Sequence, residues 1–196
     1  MPLDLLPLLA PAVLLTASVA AFLSPGPRPR GIPRLVEGAG FTAFTLSLGS
    51  TAVLIAKGAH TSQLIGVEGF GLSTRIDVVS VTMLVLVAFV GWIVLRYSRS
   101  YLDGEARQGA FLGWMAATLG AVLLLVQAGN LAHFVLAWIA TSLCLHRLLL
   151  FYGSRPQAIR AARKKFIVAR VGDAALIGAA VLLFASFGTL DIATIL

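Results

Sequence analysis

The sequence is poor in charge and almost free of cysteine. Only 12% of its 196 residues are charged, whereas 59% are hydrophobic, and the mean hydropathy is +0.95. This composition excludes an ordinary soluble domain and indicates an integral membrane protein. The one cysteine, Cys144, lies inside an apolar run. A disulfide framework and a Cys/His cluster with metal-ligand spacing are therefore excluded, and we expect no metal or other cofactor in this chain.

Acidic residues are also scarce, with 8 Asp and Glu against 15 Lys and Arg. In a soluble protein the net charge of +7 would suggest nucleic acid as a partner. Here most basic residues lie in short connections between apolar runs, where Lys and Arg determine membrane topology. This placement excludes nucleic-acid binding and makes the lipid bilayer the expected surroundings.

The apolar residues fall into runs long enough to cross a membrane. A helix needs about 20 apolar residues to span a hydrocarbon core of roughly 30 Å. Six runs come near this length: 3–23, 35–56, 76–97, 109–128, 131–152 and 166–187. The first carries Asp4 and is followed by arginines, which favours a retained span over a cleaved signal. The sequence therefore predicts an all-α, polytopic membrane bundle of about six transmembrane helices.

Basic residues are distributed unevenly over the connections. The connections after the first, third and fifth runs hold eleven Lys and Arg, whereas those after the second and fourth hold only Lys57 and Arg75. The positive-inside rule then predicts a cytoplasmic location for the basic connections and an N-terminus outside.

Two connections have a recognisable composition. "SPGPRPRGIP" at 24–33 has four prolines and predicts a stiff, non-helical link. Residues 58–77 contain short apolar runs between glycines and predict a small external hairpin on the helix ends. We therefore divide the chain into an N-terminal helix pair with this hairpin, 1–75, and a second part, 76–196, which begins the remaining bundle.

Asp77 lies at the start of the third apolar run, 76–97. Thr74 and Asp77 match a capping box, in which both side chains satisfy free N–H groups of the first helical turn. A carboxylate at this membrane edge is also a candidate for ion entry. Both interpretations stay open.

Charged residues inside the last run need partners. Arg170 and Asp173 lie three residues apart and so share one helix face. They either form a structural ion pair or belong to a proton or ion path. Lys164, at the end of this run, either extends to the membrane interface or joins the same path.

The fifth run contains His146 and Arg147. Arg147 lies within reach of the headgroups, but the shorter His146 needs a buried partner or water. An imidazole with an unperturbed pKa of about 6.5 exchanges protons near neutral pH, so His146 is either a proton relay or a packing histidine with a hydrogen bond. The sequence contains no nucleophile–base pair or carboxylate dyad, and we expect a transporter subunit and not an enzyme.

Four sequence motifs resemble those of a known family: "DVVSVTML" at 77–84, "GNLAHFVLAW" at 129–138, "LLLFY" at 148–152 and "KKFIVARVGDAALI" at 164–177. They resemble the antiporter-like membrane subunits of NADH dehydrogenase, the group that includes NuoL and the Mrp antiporter subunits. The resemblance implies the N-terminal part of a longer proton-conducting protein. In NuoL-like members a glutamate follows the tryptophan of the second motif and moves protons with a later lysine. Here Ile139 occupies that place.

The words from Trp138 to Tyr152, "WIATSLCLHRLLLFY", are similar to those of the DabB family, the membrane subunits of inorganic-carbon transporters. This resemblance implies a bacterial plasma membrane location and a peripheral DabA-like partner that carries zinc. It also implies that a flow of protons or Na⁺ is coupled to hydration of CO2 to bicarbonate. The alternative is a proton-pumping subunit of NADH-quinone dehydrogenase or a Mrp-type cation/proton antiporter.

Geometry adds to the interpretation of His146. Ile139 and His146 are seven residues apart, which places them on nearly the same helix face and about 10.5 Å apart along the axis. His146, with Arg147 and Asp173, is thus a candidate to pass protons near the cytoplasmic side. The basic residues Arg155, Arg160 and Arg163 form either a docking surface for the partner or only a topology signal.

Overall fold

The protein is a bundle of helices with one small hairpin. The computed structural model describes residues 5–67, 70–152 and 156–196. The helices are α1 Leu6–Phe22, α2 Ile32–Lys57, α3 Val78–Tyr101, α4 Gln108–Val126, α5 Leu131–Leu149, α6 Pro156–Phe187 and the short α7 Ile192–Ile195. Among the described residues, five helices, α2 to α6, are long and apolar enough to cross a membrane, and α1 is a shorter apolar helix of 17 residues. The predicted multi-pass helical bundle is confirmed.

One helix differs clearly from its predicted extent. The apolar run was expected to start the last span at Phe166, but α6 begins at Pro156. The residues between them are mostly Ala, Arg, Lys and Gln, which are strong helix formers, and proline is favoured in the first turn. The basic segment that contains Arg160 and Arg163 is therefore helical and not a loop, because hydropathy marks the lipid-embedded part of a helix and not its full length.

The core of the bundle lies among α1, α2, α3 and α4. Fully buried side chains such as Leu14, Val36, Leu84 and Leu112 meet there. Small residues let α1 approach α4 closely: a Cβ atom at Gly113 would lie 2.8 Å from the Phe22 ring. Helices α5 and α6 lie outside this core, with α5 packed on α4 and α6 packed on α5.

The predicted hairpin between α2 and α3 is confirmed. Strand β1 (His60–Thr61) pairs antiparallel with β4 (Arg75–Ile76). Farther along the hairpin, β2 (Ile65–Val67) pairs with β3 (Phe70–Leu72). The hairpin therefore returns the chain to the same end of the bundle, where α3 begins.

The turn between α4 and α5 fastens this hairpin to the helices. Asn130 caps α5, because its Oδ1 accepts the His133 N–H at 2.8 Å, and its Nδ2 donates to Ser73 Oγ at 2.8 Å. The buried His133 ring places Nδ1 2.8 Å from the Ser73 carbonyl oxygen. A Cβ atom at Gly129 would lie 2.7 Å from Ser73 Oγ, so the close contact requires glycine there.

The capping box lies three residues later than the sequence predicted. Asp77 is the N-cap of α3: its Oδ1 accepts the Ser80 N–H at 2.7 Å, and the Ser80 hydroxyl accepts the Asp77 N–H at 2.9 Å. Thr74 was the wrong choice for the cap, since Arg75 and Ile76 still belong to strand β4 and Thr74 is buried in a bridge to Ala128.

The same carboxylate is held by an arginine. Arg75 Nε lies 2.8 Å from Asp77 Oδ2. Partial burial raises the pKa of Asp77, but the hydrogen bonds from Ser80 and the charge of Arg75 outweigh it, so that the net pKa lies below its ordinary value. Asp77 is therefore ionised at neutral pH, and its negative charge is favourable at the N-terminus of α3.

We predict that Asp77→Ala lowers the free energy of unfolding by about 1 kcal/mol, the usual effect of losing an N-cap. The folded-state pKa of Asp77 is depressed. The difference in free energy of unfolding between the variant and the unmodified protein is therefore complete above the ordinary Asp pKa of about 3.9, and it disappears as the pH falls through the folded-state pKa. Thermal unfolding of the detergent-solubilised protein between pH 7 and pH 3 measures both effects. Asp103→Ala is the control, because its ion pair with Arg28 is exposed. An equal, pH-independent loss in both variants contradicts the assignment.

Candidate ion-path site

A polar cluster lies inside the interface between α5 and α6. On α5, side chains four residues apart share one face, and on α6 the charged residues of the cluster lie on the side that meets it. The cluster consists of Trp138, Ser142 and His146 from α5 and Lys165, Phe166, Arg170 and Asp173 from α6. Both helices are apolar and long enough to cross a membrane, so these groups lie where an unpaired charge is strongly disfavoured.

The predicted pair of Arg170 and Asp173 is confirmed. Arg170 Nη2 lies 2.6 Å from Asp173 Oδ2, and the carboxylate side chain is only 6% exposed. Trp138 Nε1 donates to Asp173 Oδ1 at 3.1 Å. The carboxylate is thus neutralised by its own helix and oriented by the neighbouring one, because burial without such partners would destabilise the fold.

Lys165 is joined to the cluster through Ser142. Lys165 Nζ donates to the Ser142 carbonyl oxygen at 2.8 Å and contacts Ser142 Oγ at 3.2 Å. Arg170 Nη2 donates to the same hydroxyl at 3.4 Å. One serine on α5 therefore holds two cationic side chains of α6.

Sequence reasoning selected Lys164 and missed both Lys165 and Ser142. Lys164 is exposed on α6, away from the cluster. Helical phase could have indicated this, because Lys164 is nine residues from Asp173, which corresponds to about 180° around a helix and so to the opposite face. Ser142 carried no sequence signal, since a single serine in an apolar helix usually bonds its own backbone.

His146 lies at the end of the cluster that the basic connections predict to be cytoplasmic. Its ring centroid is 4.7 Å from that of Phe166, and the Arg170 guanidinium is 5.0 Å from the same Phe166 ring. Within the part of the chain that the structure describes, the buried His146 Nδ1 has no hydrogen-bond partner. The structure therefore brings His146, Arg170 and Asp173 to one interface, with Phe166 between the imidazole and the guanidinium.

The other predicted path residues lie elsewhere. Arg147 is exposed, with its guanidinium 5.8 Å from the Trp114 ring of α4, so it faces away from α6. Asp77 is the cap of α3, at the end of the bundle that carries the hairpin. Among the described residues, no hydrogen bond or ion pair joins either side chain to the cluster, although the charge of Arg147 acts on His146.

Two of the three predicted docking residues lie on the first turns of α6. Arg160 and Arg163 are exposed there. Arg155 lies outside the described residues. In the described ranges 5–67, 70–152 and 156–196, no three His, Cys, Asp or Glu side chains are grouped as a metal site would require.

Two family descriptions match the chain. Residues 67–112 match "NADH-Ubiquinone oxidoreductase (complex I), chain 5 N-terminus". Residues 128–196, which contain the whole α5–α6 cluster, match "NADH:quinone oxidoreductase/Mrp antiporter, TM". Together the two matches cover more than half of the chain.

Curated relatives divide between two functions. The chain is 38% identical, over 97% of its length and 36% of the relative, to a probable inorganic carbon transporter subunit DabB2 of Halothiobacillus neapolitanus. It is 42% identical to a probable DabB subunit of Hydrogenovibrio crunogenus, over 56% of this chain and 21% of that one. NADH-quinone oxidoreductase subunit L of Escherichia coli is 34% identical over 67% of this chain and 21% of its own. The chain thus spans about a third or less of the length of these relatives.

Solved structures share the fold. A chain of the Mrp complex from Dietzia superposes with a TM-score of 0.75 at 23% identity, over 96% of this chain and 20% of that one. A chain of the archaeal membrane-bound sulfane sulfur reductase superposes with a TM-score of 0.71 at 14% identity, over 98% of this chain and 38% of that one. With its two family matches, the chain belongs to the NADH:quinone oxidoreductase/Mrp antiporter family of membrane subunits, and it is similar to the N-terminal part of the inorganic carbon transporter members, DabB and DabB2.

Proposed function

We propose that the chain is part of the membrane subunit of an energy-coupled inorganic-carbon uptake complex in the bacterial plasma membrane, with its N-terminus outside. Cation flow through this subunit, of protons in our proposal, drives hydration of CO2 to bicarbonate by a peripheral, carbonic-anhydrase-like partner that carries the zinc. The similarity to the two DabB-type subunits supports this choice of substrate.

The α5–α6 cluster is the observation that carries the proposal. It contains an imidazole, an ammonium, a guanidinium and a carboxylate within a single helix interface. Intramembrane ionisable groups are rare and are characteristic of ion and proton paths. Ser142 connects Lys165 with Arg170, and Arg170 continues to Asp173, so a chain of polar contacts runs along the interface.

In this proposal His146 exchanges protons with the cytoplasmic end of the interface. Neutral imidazole is the side chain best suited to gain and lose a proton near neutral pH. The buried Nδ1 atom gives it a position from which a proton moves to water or to a neighbouring group. Ile139, about two turns deeper on the same helix, has no titratable group, so His146 takes over the role of the α5 proton carrier.

A second candidate is a proton-pumping subunit of NADH-quinone dehydrogenase or a Mrp-type antiporter subunit. The 34% identity to subunit L of Escherichia coli favours it. Ile139 weighs against it, because isoleucine cannot hold the proton that the aligned glutamate of that family carries. Genes for a large zinc-site protein beside this gene support the first function, and a set of dehydrogenase or Mrp subunit genes supports the second.

We predict that the full-length protein, co-expressed with its neighbouring partner, lets a strain without carbonic anhydrase grow in air. An uncoupler that collapses the proton gradient is expected to abolish this growth while leaving growth in high CO2 unaffected. Growth yield and uptake of labelled inorganic carbon are the measurements. Uptake that continues unchanged with the uncoupler rules out energy coupling.

In the same strain we predict that His146→Gln and His146→Ala each lower carbon uptake at least tenfold, because neither side chain transfers protons. Leu145→Ala is the matched control, since the neighbouring Leu145 is exposed on another face of α5. Immunoblots establish equal amounts of protein in the membrane. If both His146 variants take up carbon like the control, the relay role is refuted.

The exposed arginines at the start of α6 form our proposed docking surface. Arg160→Glu combined with Arg163→Glu is expected to reduce co-purification of the partner at least fivefold, because charge reversal turns attraction into repulsion at an electrostatic interface. Arg30→Glu is the control: Arg30 lies in the link between α1 and α2, at the same end of the bundle but on another connection. Undiminished co-purification of the double variant would mean that the arginines serve topology only.

A further inference from the structure

The α5–α6 cluster contains more positive than negative charge. Lys165 and Arg170 both bond to Ser142, whereas the sequences of α5 and α6 contain a single acidic residue, Asp173. That carboxylate is already occupied by Arg170 and Trp138. Lys165 therefore donates hydrogen bonds only to neutral atoms, and the positive charge of Arg170 acts on it more strongly than the negative charge of Asp173. An uncompensated charge is unfavourable in this region.

Donors without partners surround the same position. Among the described residues, Arg170 Nε, His146 Nδ1 and Asp173 Oδ2 are buried and make no hydrogen bond, although Oδ2 lies 2.6 Å from Arg170 Nη2 in the ion pair. A neutral imidazole with its proton on Nδ1 is a donor, and the Arg170 Nε–H is always one. Buried donors in native proteins are almost always satisfied. The free Arg170 Nε–H and the excess of positive charge thus belong to one interface. An anionic acceptor would satisfy both, and His146 would donate to it when its proton is on Nδ1.

We propose that this interface is a binding site for a small monovalent oxyanion, held by Lys165 and Arg170 with Ser142 and His146 beside them. Arginine and lysine together favour an oxygen anion, because the planar guanidinium matches two oxygens and the ammonium supplies a point charge. The choice of bicarbonate as the physiological anion rests on the proposed function, whereas the anion site itself rests on the charges and donors.

The depth of the cluster suits an ion that arrives from the basic end of the bundle. Ser142 lies seven residues before the end of α5 at Leu149, which corresponds to about 10 Å along the helix. The first turns of α6, with Arg160 and Arg163 exposed, lie at that same end. Their positive field attracts anions toward the interface and thereby raises the local concentration of the ligand.

The test uses the full-length subunit in complex with its partner, in detergent at pH 8 and constant ionic strength. Sodium bicarbonate is titrated against sodium chloride while thermal unfolding of the membrane subunit is followed. We expect bicarbonate to raise Tm saturably by about 2–4 °C, because a ligand that binds only the folded state stabilises it. Lys165→Met is expected to abolish this rise, and Lys165→Arg to retain it. Lys164→Met is the matched control and is expected to behave like the unmodified protein.

Each other outcome overturns the proposal. Equal stabilisation by chloride would show a site without preference for oxyanions. A rise in Tm that persists in Lys165→Met would place the bicarbonate on the partner. No rise at all would mean that a carboxylate elsewhere in the complex, or loss of the lysine proton, neutralises Lys165. Because this measurement needs no transport, a positive result together with failed growth in air would retain the anion site and reject the proposed function.

Discussion

Charge inside a lipid-spanning interface must be neutralised, and this constraint governs how α5 and α6 meet. Asp173 is 6% exposed and is tolerated because Arg170 lies one turn away and Trp138 donates from the facing helix. Lys165 donates to the neutral oxygens of Ser142, and in our proposal a bound oxyanion neutralises its charge. The position of α6 against α5 therefore depends on polar contacts as well as on packing. Lipid tails are as apolar as the helix surfaces, so the hydrophobic effect does not drive two helices together inside the bilayer.

The apolar core and the charged cluster occupy different parts of the bundle. Helices α1 to α4 share the buried core, where small residues allow close approach and apolar side chains form the core cluster. Helices α5 and α6 lie beside that core and carry the cluster. The turn at Asn130 links the two parts, because its side chain caps α5 while it also holds the hairpin at Ser73. Rigid support on one side of the cluster is what a path with defined proton positions requires.

Much of this arrangement follows from the sequence, and the exceptions have physical causes. Apolar runs indicated the spans, and a three-residue spacing indicated the pair of Arg170 and Asp173. The start of α6 was misplaced because hydropathy does not report helix propensity in a basic segment. The cap of α3 was misplaced because Thr74 pairs in a strand bridge with Ala128, a contact across 54 residues that no local pattern contains.

What the sequence by itself determined is the class of molecule: a chain this apolar, with its arginines and lysines in alternate connections, has to be a multi-pass membrane helix bundle. It also determined that α5 and α6 carry titratable groups. Only the tertiary structure decided which of them meet. Lys164 and Lys165 are neighbours in sequence, but a rotation of about 100° per residue sends one to the exposed side and the other to Ser142. Which face of α6 meets α5 is set by contacts between helices, and those are not encoded in either segment alone.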